Sequence, residues 1–182
     1  MKTVLIPLAQ GCEELEAVTV IDILRRAGIT VVTAGLDDQA VKASRGVVLI
    51  PDTTLDEAIK QSFDMVVLPG GLPGADHLDN DPRIHQLLKE TQQQGKYVAA
   101  ICAAPKVLAN AGLLTNKSAT AYPGVLEEMP DMHLVDAPVV KDGHIVTSRG
   151  PGTAMDFALE LIEILVGSDT RNQVEAGLVR AT

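Results

Sequence analysis

The stretch Tyr97-Val98-Ala99-Ala100-Ile101-Cys102-Ala103-Ala104-Pro105 decides the fold. Residues 98–101 are uninterruptedly apolar and read as a strand buried on both faces, as central strands of a parallel sheet are. Pro105 suits the first turn of a helix, where a missing N–H costs no bond. That helix is predicted over 105–111, and Gly112 stops it. Cys102 therefore lies on a sharp strand-to-helix turn, with its sulfur near a helix N-terminus. N–H groups oriented there favour a thiolate, and such sites bring a cysteine from about 8.5 into a range of roughly 3.5–7.5. The nucleophile elbow of the serine hydrolases has the same geometry. A buried, inert core cysteine would fit the position too.

Outward from this stretch, strands and helices alternate. Strands are predicted at 4–8, 29–34, 47–50, 65–68, 118–121, 135–140 and 145–148, the last two joined around Asp142-Gly143, a two-residue hairpin signal. Helices are predicted at 13–27, 55–60, 82–94, 153–166 and 169–178. The first opens on Glu13, Glu14 and Glu16, acids that complement a helix dipole, and stops at Gly28. This order implies right-handed crossovers and an α/β fold: a three-layer sandwich with a mainly parallel central sheet and helices on both faces. With no repeat, low-complexity segment or linker, residues 1–182 read as a single domain. Ligands in such folds bind beyond the carboxyl ends of the strands. Three loops leave that edge, at 11–16, 69–74 and 102–105.

Composition narrows the function classes. The hydrophobic fraction is 46% but aromatics are only 2%, so the core rests on Val, Ile, Leu and Ala, as in parallel-sheet proteins. A net charge of −9 argues against non-specific nucleic-acid binding, which needs a basic surface. No apolar run reaches membrane-spanning length, and residues 1–7 lack a signal-peptide layout, so the expected compartment is the cytoplasm. Two cysteines, Cys12 and Cys102, make neither a structural zinc site nor a disulfide scaffold. No cofactor and no metal are expected.

Glycines 70, 71 and 74 belong to neither a Walker loop nor a Rossmann fingerprint. They mark a plain tight turn, or a backbone that comes close to a ligand or to the Cys102 sulfur. In the second case the N–H groups of Gly71 and Ala103 would form an oxyanion hole. Glu16 shares a helical stripe with Val20, Ile23 and Ala27, so it points inward, where a carboxyl is held neutral or paired. His77, His85, His133 and His144 read as surface residues, and Cys12 as a spectator.

Five segments carry a resemblance to a known family. Gly11-Cys12-Glu13-Glu14-Leu15-Glu16, Arg25-Arg26-Ala27-Gly28-Ile29, Val67-Leu68-Pro69-Gly70-Gly71, Ala99-Ala100-Ile101-Cys102-Ala103-Ala104-Pro105 and Thr147-Ser148-Arg149-Gly150-Pro151-Gly152-Thr153 resemble the ThiJ/PfpI superfamily. Within it they are similar to the branch of the Parkinson-disease protein DJ-one and its bacterial relatives, over essentially the whole chain. The resemblance implies a flavodoxin-like sandwich, of the class I glutamine amidotransferase-like kind, and a homodimer formed through the first helix and Arg25-Arg26. It makes Cys102 the oxidisable nucleophile and Glu16 its protonated partner, with the Gly71 and Ala103 N–H groups around the sulfur and Gly70 and Tyr122 lining the site. It implies glutathione-independent conversion of methylglyoxal or glyoxal, removal of early glycation adducts, and protection against oxidative stress. The other activity it implies is that of a redox sensor or redox-regulated chaperone of misfolded proteins. Where much of the family has a histidine this chain has Tyr122, and where its protease-like branch has His after the cysteine this chain has Ala103. A Cys–His hydrolase is therefore not expected. Nor is a thiamine-precursor kinase, for want of a phosphate loop.

Overall fold

In the computed structural model, which describes residues 1–180, the apolar runs become the strands of one main sheet. The chain opens with β1 (Thr3–Leu8), α1 (Glu14–Arg26) and β2 (Thr30–Gly35). Two short strands follow, β3 (Val41–Lys42) and β4 (Val48–Leu49), paired antiparallel with each other. β5 (Thr53–Thr54) and α2 (Leu55–Ala58) lead to β6 (Met65–Leu68), and α3 (Gly74–Asn80) and α4 (Pro82–Gln93) lead to β7 (Tyr97–Ile101). After α5 (Pro105–Asn110) come β8 (Ser118–Ala119), β9 (His133–Leu134), β10 (Val139–Asp142) and β11 (Ile145–Ser148), then α6 (Ala154–Val166) and α7 (Ser168–Gly177).

Seven strands pair in the order β10-β11-β7-β6-β1-β2-β5, and only β10 runs antiparallel to its neighbour. The inner five have the flavodoxin-like order, which reverses between β1 and β6. A crevice opens at such a reversal, beyond the carboxyl ends of the strands.

The two faces of the sheet follow the period of two in the strands. Val4, Ile6 and Leu8, with Val67, Ala99 and Ile101, pack beneath α1, α6 and α7. Leu5, Val66, Leu68, Val98 and Ala100 face the other way, against α2, α3, α4 and α5. Neighbouring residues of β1, β6 and β7 are thus buried on opposite faces, which is why these strands are apolar throughout. The expected three-layer sandwich is the fold.

Four expectations need correction. Residues 47–50 are not a strand of the main sheet: Val48 and Leu49 sit in the small β3–β4 ribbon, and Val47, Val48 and Ile50 are exposed. The sheet edge is instead β5, two threonines long. Residues 74–80 form a helix, where the sequence reading places no element between the loop at 69–74 and the helix at 82–94. The strand at 135–140 begins only at Val139, and the hairpin loop is Gly143-His144, since Asp142 pairs with Ile145. Residues 118–121 contribute only Ser118 and Ala119, paired with β9 outside the main sheet.

Candidate active site

Three loops converge at the reversal point. Cys102 follows β7 directly, with φ of +64°. That left-handed conformation costs a non-glycine residue about 1–2 kcal/mol, so its surroundings must hold it. The Cys102 N–H donates to the Ser148 carbonyl at 3.0 Å, and its own carbonyl accepts from Tyr122 N–H at 2.9 Å. Ala104 N–H closes the turn on Ile101 O at 3.0 Å. A strained residue pinned this firmly marks a site where geometry matters more than stability.

Glu16 comes from the first turn of α1 and is completely buried, as are Val20 and Ile23 on the same stripe. Its Oε2 accepts the Gly70 N–H at 2.8 Å. Its Oε1 is buried without a hydrogen-bond partner among the described residues. The Cys102 thiol lies beside this carboxyl, and the Gly71 and Ala103 N–H groups are close enough to the sulfur to favour its thiolate.

Burial pushes the Glu16 carboxyl up to about 7, against the hydrogen bonds from Cys102 and Gly70. A buried carboxylate is costly, and the neutral acid relieves that cost. Burial also raises the Cys102 thiol, followed by the charge of Glu16 and its acceptance of the thiol proton, to about 12; the two N–H groups pull the other way. The low thiol expected from a helix N-terminus is therefore not what an ionised Glu16 permits. The supposed source of the effect is also short: α5 has only six residues, and the donors are two loop amides. Once the Glu16 carboxyl is protonated its charge contribution vanishes and its hydrogen bond reverses, because the neutral acid donates to the sulfur.

The glycines of loop 69–74 are there for close approach. A Cβ on Gly70 would lie 2.7 Å from Cys102 Cβ and 2.8 Å from Glu16 Oε2. A Cβ on Gly74 would meet the Cys12 backbone at 2.5 Å. Gly71, at φ of +87°, abuts Glu13. Glu13 N–H donates to Gly70 O at 2.9 Å, which locks the loop to the start of α1. Gly70 thus does more than line the site: it holds the carboxyl, a role no local sequence signal carries.

The remaining candidates fall outside this centre. Tyr122 joins it through its backbone, while its half-exposed ring stands beside Gly150. Cys12 is fully buried, and burial with the nearby Glu14 lifts its thiol to about 11. His77, His133 and His144 are exposed, and the half-buried His85 pairs with Asp79 at 3.0 Å. Among the described residues no cluster of His, Cys, Asp and Glu would hold a metal, and no helix is long and apolar enough to cross a membrane.

The model of the DJ-1/PfpI family matches residues 2–164. The chain belongs to the DJ-1/PfpI family. It is 45% identical to Protein dj-1beta of Drosophila melanogaster, over 99% of this chain and 98% of that protein. The crystal structure of that DJ-1beta superposes with a TM-score of 0.96, covering 100% of this chain and 99% of the other. Oxidized Toxoplasma gondii DJ-1 gives a TM-score of 0.95 at 40% identity, with full coverage of both chains. A third member, the glutathione-independent glyoxalase DJR-1.2 of Caenorhabditis elegans, is 35% identical over 91% of this chain and 89% of its own length.

Proposed function

We propose that this DJ-1/PfpI protein is a cysteine-dependent, glutathione-independent glyoxalase acting on small aldehydes such as methylglyoxal. The reading rests on one observation, the Cys102 sulfur set between the Glu16 carboxyl and the N–H groups of Gly71 and Ala103. The C. elegans relative named as a glyoxalase supports the same chemistry.

The thiolate adds to the aldehyde carbon, giving a hemithioacetal whose oxyanion is held by the two N–H groups. Glu16 gives its proton to that oxygen and, as carboxylate, takes the hydrogen from the former aldehyde carbon. It returns the proton to the neighbouring carbonyl carbon, while the hydroxyl proton passes from the former aldehyde oxygen to the former ketone oxygen. The aldehyde carbon is thereby oxidised to a thioester and the ketone carbon reduced to an alcohol. Water hydrolyses the thioester, releasing lactate and the thiol. No external oxidant, reductant or cofactor enters the balance. The same addition would act on early glycation adducts of proteins, with residues 1–182 working as one cytoplasmic domain.

Incubation of purified protein with methylglyoxal, without glutathione, should yield lactate, and Cys102→Ala should abolish it. Lactate formation that persists in Cys102→Ala overturns the reading. A second reading is favoured by the two N–H donors themselves, which would equally hold the oxygens of an oxidised sulfur. Each peroxide O–O bond would break to place one oxygen on Cys102 and release the other as water or alcohol, giving sulfenate and then sulfinate. Peroxide-driven sulfinate on Cys102 without lactate production would point to that redox-sensing role.

A further inference from the structure

The two N–H groups on the sulfur come from different loops, and each loop runs directly into a helix. Gly71 O accepts from Ala75 N–H at 2.8 Å, so Gly71 already belongs to the hydrogen-bonding frame of α3. Ala103 lies one residue from Ala104, whose carbonyl accepts from Val107 N–H of α5 at 2.9 Å. The separation of the two donors is therefore set by the separation of α3 and α5.

Two polar pairs join these helices. Asp76, in the first turn of α3, forms an ion pair with Lys106, in the first turn of α5. One turn further on, Asp79 Oδ2 accepts from Asn110 Nδ2 at 2.6 Å. The spacings, three residues on α3 and four on α5, put both rungs on one face of each helix. A lysine in the first turn of a helix works against the helix dipole, so α5 itself gives no reason for Lys106. The ammonium is largely tucked away, with the Lys106 side chain 21% exposed, while Asp76 is half exposed.

We propose that the Lys106–Asp76 pair is a positioning brace that holds the Gly71 and Ala103 amides at the separation needed to share the Cys102 sulfur. The inference rests on the Cys102 site described above. Neither residue touches substrate; both act through the two loops. The pair adds little to global stability, because partly exposed ion pairs are screened by solvent. Its effect should appear in the reactivity of the sulfur.

The test uses the full-length protein and iodoacetamide, a small neutral electrophile, with mass spectrometry to report alkylation at Cys102. This reads the thiol directly, so it stays interpretable even if the wild type makes no lactate. Lys106→Met and Asp76→Asn should each slow alkylation at neutral pH about tenfold, short of the roughly hundredfold or more that loss of an oxyanion donor costs. The midpoint of thiolate absorbance against pH should rise in both. The exchanged pair, Lys106→Asp with Asp76→Lys, should recover most of the rate. Unchanged alkylation in the single variants, with or without a lower Tm, overturns the brace. So does a slowed rate that the exchange fails to recover. If a single variant does not fold, the wild type in rising salt gives the same answer. Screening at about 1 M NaCl weakens the pair, so alkylation should slow; a salt-independent rate overturns the proposal.

Discussion

At the scale of single residues the site turns on one proton. Glu16, pushed up to about 7, and the Cys102 thiol share it across a hydrogen bond, so only the pair has defined titration steps. If the proton sits on the carboxyl, Glu16 donates to the sulfur and supports the thiolate. Glu16→Leu should then lower the thiolate fraction at neutral pH and slow sulfinate formation by peroxide, while Cys12→Ser does neither. If the proton sits on the sulfur, Glu16→Leu removes a repelling charge and the thiolate fraction rises. Thiolate absorbance against pH separates these outcomes by sign, and a rise excludes Glu16 as donor. Tyr122 tests the same scheme from another side. Its attachment to Cys102 runs through the backbone, which Tyr122→Phe preserves. That variant should keep most of the lactate-forming activity; a loss beyond about a hundredfold, the scale of a removed general acid or base, would make the phenol a proton carrier.

At the scale of elements, the parts of the site legible in the sequence are those set by local chemistry. An apolar run ending at Cys102 with Pro105 behind it dictates the turn, and the 3.6-residue period of α1 dictates that Glu16 points inward. Gly70 was less legible, because its contacts with Glu16 and Cys102 join segments more than thirty residues apart. α3 was hidden for a similar reason: Gly74, a poor helix residue, is required by the Cys12 backbone packed against it. Glu14 was missed too. It is buried under the turn between β3 and β4, where its carboxylate accepts Arg45 N–H at 2.8 Å and Val47 N–H at 3.4 Å, with Ser44 Oγ at 3.1 Å. Burial pushes Glu14 up, but these donors and its own N–H outweigh it and hold the group below the usual carboxylate range. A depressed carboxyl contributes stability above its unfolded value, near 4.5, and loses it as pH falls through the lower folded value. The β3–β4 turn should therefore loosen in acid before the main sheet does. Hydrogen exchange at Arg45 and Val47 should speed up as pH falls below about 4.5, after correction for intrinsic rates, and Glu14→Gln should show that loosening already at pH 7. Equal protection in both proteins would leave the carboxylate without that role.

At the scale of the whole molecule, the β3–β4 ribbon raises the question of what covers it. Val47, Val48 and Ile50 are 48%, 60% and 85% exposed, and Leu15 and Val18 on the outer side of α1 are 49% and 44% exposed. Glu14 ties the ribbon's turn to the start of α1, so these side chains belong to two fastened elements. The apolar run at 47–50 reads as a short strand in the sequence; within one chain Val47, Val48 and Ile50 are exposed, and a second copy would supply the missing cover. Arg25 and Arg26, expected at the same surface, have partners within the chain, Asp52 at 3.1 Å and Asp22 at 2.9 Å. We therefore expect the apolar residues to carry a two-fold homodimer, with the arginines outside its centre. Val48→Glu is the discriminating change. Because Val48 is already exposed in the isolated chain, the substitution should leave circular dichroism unchanged, while burying a carboxylate in the dimer would cost several kcal/mol unless it is paired. Light scattering at micromolar concentration should return twice the chain mass for the wild type and one chain mass for Val48→Glu. Dimerisation also links Tm to concentration, so the wild-type Tm should rise with protein concentration and the variant's should not. A wild type that scatters as a single chain, or a Val48→Glu protein that stays dimeric, would remove the ribbon from the assembly surface and leave its exposed valines unexplained.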